Sequence, residues 1–115
     1  MRDESIGSFL AALAARVPAP GGGATAALHL GQAAALLAMV ARYTTGPRYR
    51  EHTAVVERVT RGADAIRDRA LQFAADDVAA FTAVIEAYQL PKSTAAEQIT
   101  RSAVIENALT GAAKV

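Results

Sequence analysis

The chain has no cysteine, which excludes a disulfide framework and any thiolate metal site. Its two histidines, His29 and His52, are too few for a histidine metal cluster, so no metal is expected. Tryptophan is absent and aromatic residues make up only 5%, so large rings cannot form the bulk of a core. Neither sign of charge prevails: 12 Lys and Arg against 11 Asp and Glu leave a net +1. That balance argues against a nucleic-acid footprint, although Arg42, Arg48 and Arg50 do cluster. The opening Arg2-Asp3-Glu4-Ser5 has no apolar h-region and does not read as a signal peptide. Only Ala24 to Ala41 is long enough to suggest a membrane span. It carries His29 and Gln32 and is mainly alanine and glycine, which gain little in lipid, so it reads as the buried helix of a soluble, cytoplasmic protein.

What the chain does have is alanine. Hydrophobic residues make up 52% of its 115 positions, which describes one globular domain over residues 1–115 rather than a disordered segment. An alanine side chain buries little area, and apolar burial is worth only about 25 cal/mol per Å². Helices with such side chains must therefore pack closely, backbone to backbone. A small domain with so thin a core draws further stabilisation from self-association, and a homodimer or higher homo-oligomer is expected.

One stretch interrupts an otherwise helical pattern: Pro18-Ala19-Pro20-Gly21-Gly22-Gly23-Ala24-Thr25. The prolines fix φ and push the residues before them out of the α region, ending a first helix. Gly21, Gly22 and Gly23 then allow a sharp turn and close approach to the peptide groups. A helix begins immediately after them, and its unpaired N–H groups and positive dipole end lie beside the glycines. Such a loop can hold an anion or a polarised carbonyl; it can also be no more than a flexible hairpin between packed helices.

The periodicity predicts four helices. The first runs from about Ser5 to Arg16, with Asp3 or Ser5 as N-cap and Ile6, Phe9, Leu10, Leu13 and Val17 on one face. The second, from about Gly23 to Thr45, is apolar on most sides and calls for neighbours all round. Gly31 at its middle points to a close helix crossing, and Gly46-Pro47 stops it. The third element extends from about Tyr49 to Tyr88, with Gly62 as the weak point for a kink or a break into two helices and an apolar stripe of Val59, Ala63, Ile66, Ala70, Phe73, Phe81, Val84 and Tyr88. Leu90-Pro91 ends it. Thr94 and Glu97 form a capping box for a fourth helix, whose apolar positions are Ile99, Ala103, Ile105, Leu109 and Ala112.

One residue breaks the stripe. At about 100° per residue Asp77 falls in its centre, where an apolar side chain belongs, while Asp76 falls on the flank. A carboxylate in an apolar seam is costly unless it is paired, hydrogen-bonded or protonated. Such a setting suits a general acid or base near neutral pH; the alternative is an arginine partner on a neighbouring helix.

The run PAPGGGATAALHLGQAAALLAMVARYT, followed much later by DDVAAF and LPK, resembles the cyclodeaminase domain of formiminotransferase-cyclodeaminase and the related bacterial methenyltetrahydrofolate cyclohydrolases. The matching positions are Pro18, Pro20 to Gly23, Ala26, Ala27, Gly31, Met39, Asp77, Ala80, Phe81 and Leu90 to Lys92, within a likeness from about Phe9 to the C-terminus. The resemblance implies an all-α helical bundle, dimeric and shortened at its C-terminus relative to the family domain. It also implies a tetrahydrofolate derivative as substrate and Asp77 as the catalytic residue, a hydrogen bond to the amino-pyrimidinone edge of the pterin being the rival role for that carboxylate. Either reaction fits: ammonia loss from a formimino group or water addition to a methenyl carbon. The three glycines would offer N–H groups to the folate, and Arg42, Arg48 and Lys92 would receive its glutamate tail, arginine being suited to forked recognition of a carboxylate. The family's lysine-rich segment after the second helix is replaced here by Gly46-Pro47-Arg48-Tyr49. The competing reading is a non-catalytic helical oligomerisation module or partner subunit.

Overall fold

The computed structural model describes residues 1–115, and every regular element in it is a helix. These are α1 (Ile6–Ala14), α2 (Gly22–Tyr43), a 3-10 turn (Pro47–His52), α3 (Thr53–Tyr88) and α4 (Ala95–Ala113). The helix starts follow local chemistry. Ser5 accepts a hydrogen bond from the Ser8 N–H at 3.0 Å, and Thr94 does the same for the Glu97 N–H at 3.1 Å, each satisfying a first-turn donor. Between α2 and the 3-10 turn, Gly46 takes φ 95°, a conformation that favours glycine, and Pro47 follows it. Gly62 leaves α3 unbroken: the helix runs straight through it for 36 residues, about 54 Å, because packing along its length offsets the local cost of one glycine.

The centre of the molecule is an antiparallel pairing of α2 and α3. Its register is set by small residues: Ala24 packs with Ala74, and Gly31 faces Ala70, where an added methyl would sit 3.5 Å from the Ala70 Cβ. Eight of the ten buried residues are alanines: Ala24, Ala34, Ala38 and Ala41 on α2 and Ala63, Ala70, Ala74 and Ala87 on α3. At the far end of the pairing Arg42 forks onto Asp64, with Nη1 to Oδ1 at 3.2 Å and a second contact from Nη2 to Oδ2. Arg67 reaches the same carboxylate at 3.3 Å. α1 seats Phe9 on the Ala24 and Ala74 contact. α4 packs against α3, and Arg101 donates to the Tyr88 carbonyl at 3.2 Å.

Two expectations need correction. The second helix was expected to have neighbours all round, yet only its alanine face is covered; Leu36, Leu37, Val40 and Tyr43 are exposed, the last to 80%. The α3 stripe also divides. Ala63, Ala70 and Val84 are buried, whereas Val59, Ile66, Phe73, Phe81 and Tyr88 stay at least two-fifths exposed. The apolar positions of α1 and α4 fare alike, with Phe9 the one buried residue on α1 and none on α4. The cause is the short distance between α2 and α3, which admits a methyl and turns the bulkier side chains outward. The result is a long body of 74 × 27 × 18 Å with a radius of gyration of 20.3 Å, where a compact chain of this length would have about 13 Å. By length and composition α2 could cross a membrane, with a mean hydropathy of 1.5.

Gly62 has no atom within 4 Å of an added Cβ, so Gly62→Ala should stabilise the protein by about 0.5–1 kcal/mol, read as a higher denaturation midpoint. The hydrogen bond from Arg42, with charge attraction from Arg42 and Arg67, holds the Asp64 carboxyl below the usual carboxylate range, against an opposing effect of burial. A depressed folded value gives stability that is present above the unfolded pKa and lost as pH falls through the folded one. Asp64→Asn should therefore lower the thermal midpoint at pH 7, and the difference from the parent should shrink as the pH drops below about 4.

Candidate functional site

The α2 start is bare. Gly21 caps the helix in an extended conformation (φ −140°, ψ −152°) and has no side chain to bond the first-turn N–H groups. The peptide bond between Ala19 and Pro20 is cis. Thr25 ties the turn together from within, its hydroxyl donating to the Gly21 carbonyl at 3.0 Å. The N–H groups of Gly22 and Gly23, with the positive end of the α2 dipole, are thus left for something other than a capping side chain.

Asp77 is what stands beside them. On α3 the positions Ala63, Ala70, Asp77 and Val84 recur every seven residues, so the carboxylate occupies the next place along the alanine seam. Across from it lies Gly23: a Cβ built there would be 2.6 Å from the Asp77 Cγ and 2.7 Å from Oδ1. The side chain is half-buried and makes no hydrogen bond or ion pair within the chain, so the arginine partner that was its alternative fate is not there. Its neighbour Asp76 is the opposite case, exposed and bonded by the Gln72 amide at 2.8 Å. Of the two adjacent aspartates, the one inside the seam is the one left without a partner.

The structure brings Asp77 and the glycine turn together and leaves the basic residues elsewhere. Arg42 lies about 28 Å along α2 from Gly23, at about 1.5 Å per residue, and is held by Asp64. Arg48 lies beyond it in the 3-10 turn, its guanidinium 5.7 Å from the centroid of the Tyr49 ring. Lys92 follows the end of α3, about 16 Å or more along the helix from Asp77. His29 lines a different feature, a groove of about 560 Å³ beside α1, whose walls include Phe9, Leu13, Leu28 and Arg67 but neither Asp77 nor any of Gly21 to Gly23. Reading the sequence missed both Asp64, whose i,i+3 spacing to Arg67 was the available signal, and the pairing of Gly23 with Asp77.

Residues 5–115 match the family model described as formiminotransferase-cyclodeaminase. The chain is 41% identical over 114 residues to the methenyltetrahydrofolate cyclohydrolase of Methylorubrum extorquens, covering 98% of this chain and 55% of that protein. It is 33% identical to the formimidoyltransferase-cyclodeaminase of Mus musculus, again over 98% of this chain but 21% of the relative. Among solved structures, the formiminotetrahydrofolate cyclodeaminase of Thermotoga maritima superposes with a TM-score of 0.78 at 32% identity, over 98% of this chain and 52% of that one. The chain thus spans about half the length of the bacterial relatives and about a fifth of the mammalian one.

Proposed function

The chain belongs to the formiminotransferase-cyclodeaminase family, and on that premise we propose that it acts on a tetrahydrofolate carrying a bridging one-carbon unit, with Asp77 as the proton carrier. The observation that carries this reading is the Asp77 carboxylate, unpartnered in the seam and lying against the bare first turn of α2. Cyclohydrolysis is the first reading, supported by the 41% identity to an enzyme of that name. Cyclodeamination is the second, supported by the shape shared with a cyclodeaminase.

In cyclohydrolysis, water adds to the cationic methenyl carbon, Asp77 takes the proton that the water gives up, and that proton passes to one bridge nitrogen as its bond to the carbon breaks and leaves a formyl group on the other. The same negative charge stabilises the cationic carbon before attack, and a carboxylate held in a seam of low polarity does this better than one in water. In cyclodeamination the folate nitrogen closes on the formimino carbon, and Asp77 in its protonated form delivers a proton to the departing ammonia. Of Arg42, Arg48 and Lys92, Lys92 is the one nearest to Asp77 along the fold for the glutamate tail. Arg42 and Arg48 could join only if a second copy brought its end of α2 beside the first copy's glycine turn.

A second copy also fits the uncovered apolar surface. Val59, Ile66 and Phe73 recur along α3, and Leu30 and Leu37 along α2, each at seven-residue steps and each exposed. Such steps form a seam suited to another helix. We therefore take the working form to be a homodimer.

The purified protein should consume methenyltetrahydrofolate, followed by the fall in its ultraviolet absorbance, and Asp77→Asn should lower the rate about 10²–10⁴-fold with the helical circular dichroism unchanged. Equal rates in variant and parent would remove Asp77 from the mechanism. In sedimentation the chain should run as a dimer at micromolar concentration, with a thermal midpoint that rises with concentration. A monomer under these conditions would overturn the assembly.

A further inference from the structure

We propose that Gly23 is a positioning residue for Asp77: the space left by its missing side chain is the seat that holds the carboxyl group against the first turn of α2. The proposal rests on the assignment of Asp77 as proton carrier for its functional meaning, but the seat itself is a matter of geometry.

The three glycines of the turn are not equivalent. A Cβ added to Gly21 or Gly22 meets nothing within 4 Å, so those two positions have room for a side chain. At Gly23 the added atom would stand 2.6 Å from the Asp77 Cγ and 2.7 Å from Oδ1, inside the distance at which carbon and oxygen atoms overlap. The nearest atoms all belong to the carboxyl group and none to the α3 backbone. A methyl group at Gly23 would therefore meet the carboxyl first, and the carboxyl is the group that must shift.

Gly31 shows that this differs from ordinary close packing. It faces the same seam two turns further along α2, and an added Cβ there would have 3.5 Å to the Ala70 methyl, an ordinary contact. The α2–α3 spacing thus accepts alanine opposite alanine. Opposite the larger carboxyl group it does not, and glycine at position 23 supplies the missing room. Asp77 has only two side-chain torsions, so removal of that room leaves it no way to keep its carboxyl in place. For a proton carrier the consequence is large, since misplacement by about 1 Å can cost about 10²-fold in rate.

The test is a cycle of four proteins: parent, Gly23→Ala, Asp77→Ala and the double variant. In the Asp77→Ala background the added methyl has no carboxyl to meet, and alanine is the better helix former. Gly23→Ala should then raise the thermal midpoint by about 2–4 °C. In the parent background the same change should bring no rise, or a fall. With methenyltetrahydrofolate, Gly23→Ala should lower kcat about 10²-fold with KM within about 3-fold, and should lower the residual rate of Asp77→Ala no further. A single variant that fails to fold, beside a double variant that folds, supports the seat equally well. Equal midpoint shifts in the two backgrounds, or a double variant that fails to fold where Asp77→Ala folds, would overturn it. The midpoints decide the matter even if the parent has no folate activity, so failure of the seat and failure of the functional reading are told apart.

Discussion

The close approach of α2 and α3 is the constraint on which the rest of the molecule depends. Alanine faces alanine or glycine along the pairing, and the gap between the backbones is set to the size of a methyl group. That spacing favours dispersion contacts between the two backbones, each small but numerous, over the burial of a few large side chains. It also makes the seam intolerant: any larger group must be matched by a smaller one opposite. Asp77 is such a group and Gly23 is its match, so the local exception in one helix is answered in the other.

The same constraint accounts for the uncovered surface. A seam that admits only methyl groups turns Ile66, Phe73 and Phe81 on α3, and Leu36, Leu37 and Val40 on α2, away from the contact. Exposed residues of this size on both sides of a helical pair amount to more apolar surface than an isolated soluble body commonly shows. The elongated outline follows the 36-residue α3, along which α2 and α4 lie rather than stacking into further layers. In this respect the architecture resembles half of a bundle: a close-packed inner pair whose outer faces are ready for further helices.

Much of this was legible in the sequence, and the parts that were not share a cause. Ser5 and Thr94 announced their helices because a cap acts through residues three positions away. Asp77 was visible as an acid in an apolar stripe because helical periodicity is a property of one helix. Which half of that stripe would be covered was not visible, since a wheel places Ala63 and Ile66 within one arc and says nothing of which neighbour each will meet. The pairing of Gly23 with Asp77 and of Arg42 with Asp64 depends on the register between two helices, which no single-helix pattern contains. Gly62 misled for a related reason: local propensity allowed a break into two helices there, and the helix continues through it, supported by contacts elsewhere along its length.

What the register adds to Asp77 is electrostatic as well as steric. The carboxyl group lies by the N-terminal end of α2, where the aligned peptide dipoles leave partial positive charge, and Gly21 offers no side chain to satisfy the N–H groups there. Asp76, one residue away, has none of this: it points to solvent and is already bonded by Gln72. Two chemically identical groups thus differ only in what the fold sets beside them. Asp77 is a half-buried carboxyl group beside the N-terminal end of a helix, with no hydrogen-bond or ion-pair partner within the chain, so both of its oxygens are left open to a substrate. That openness to a reacting group is what an acid–base residue in a helical seam requires.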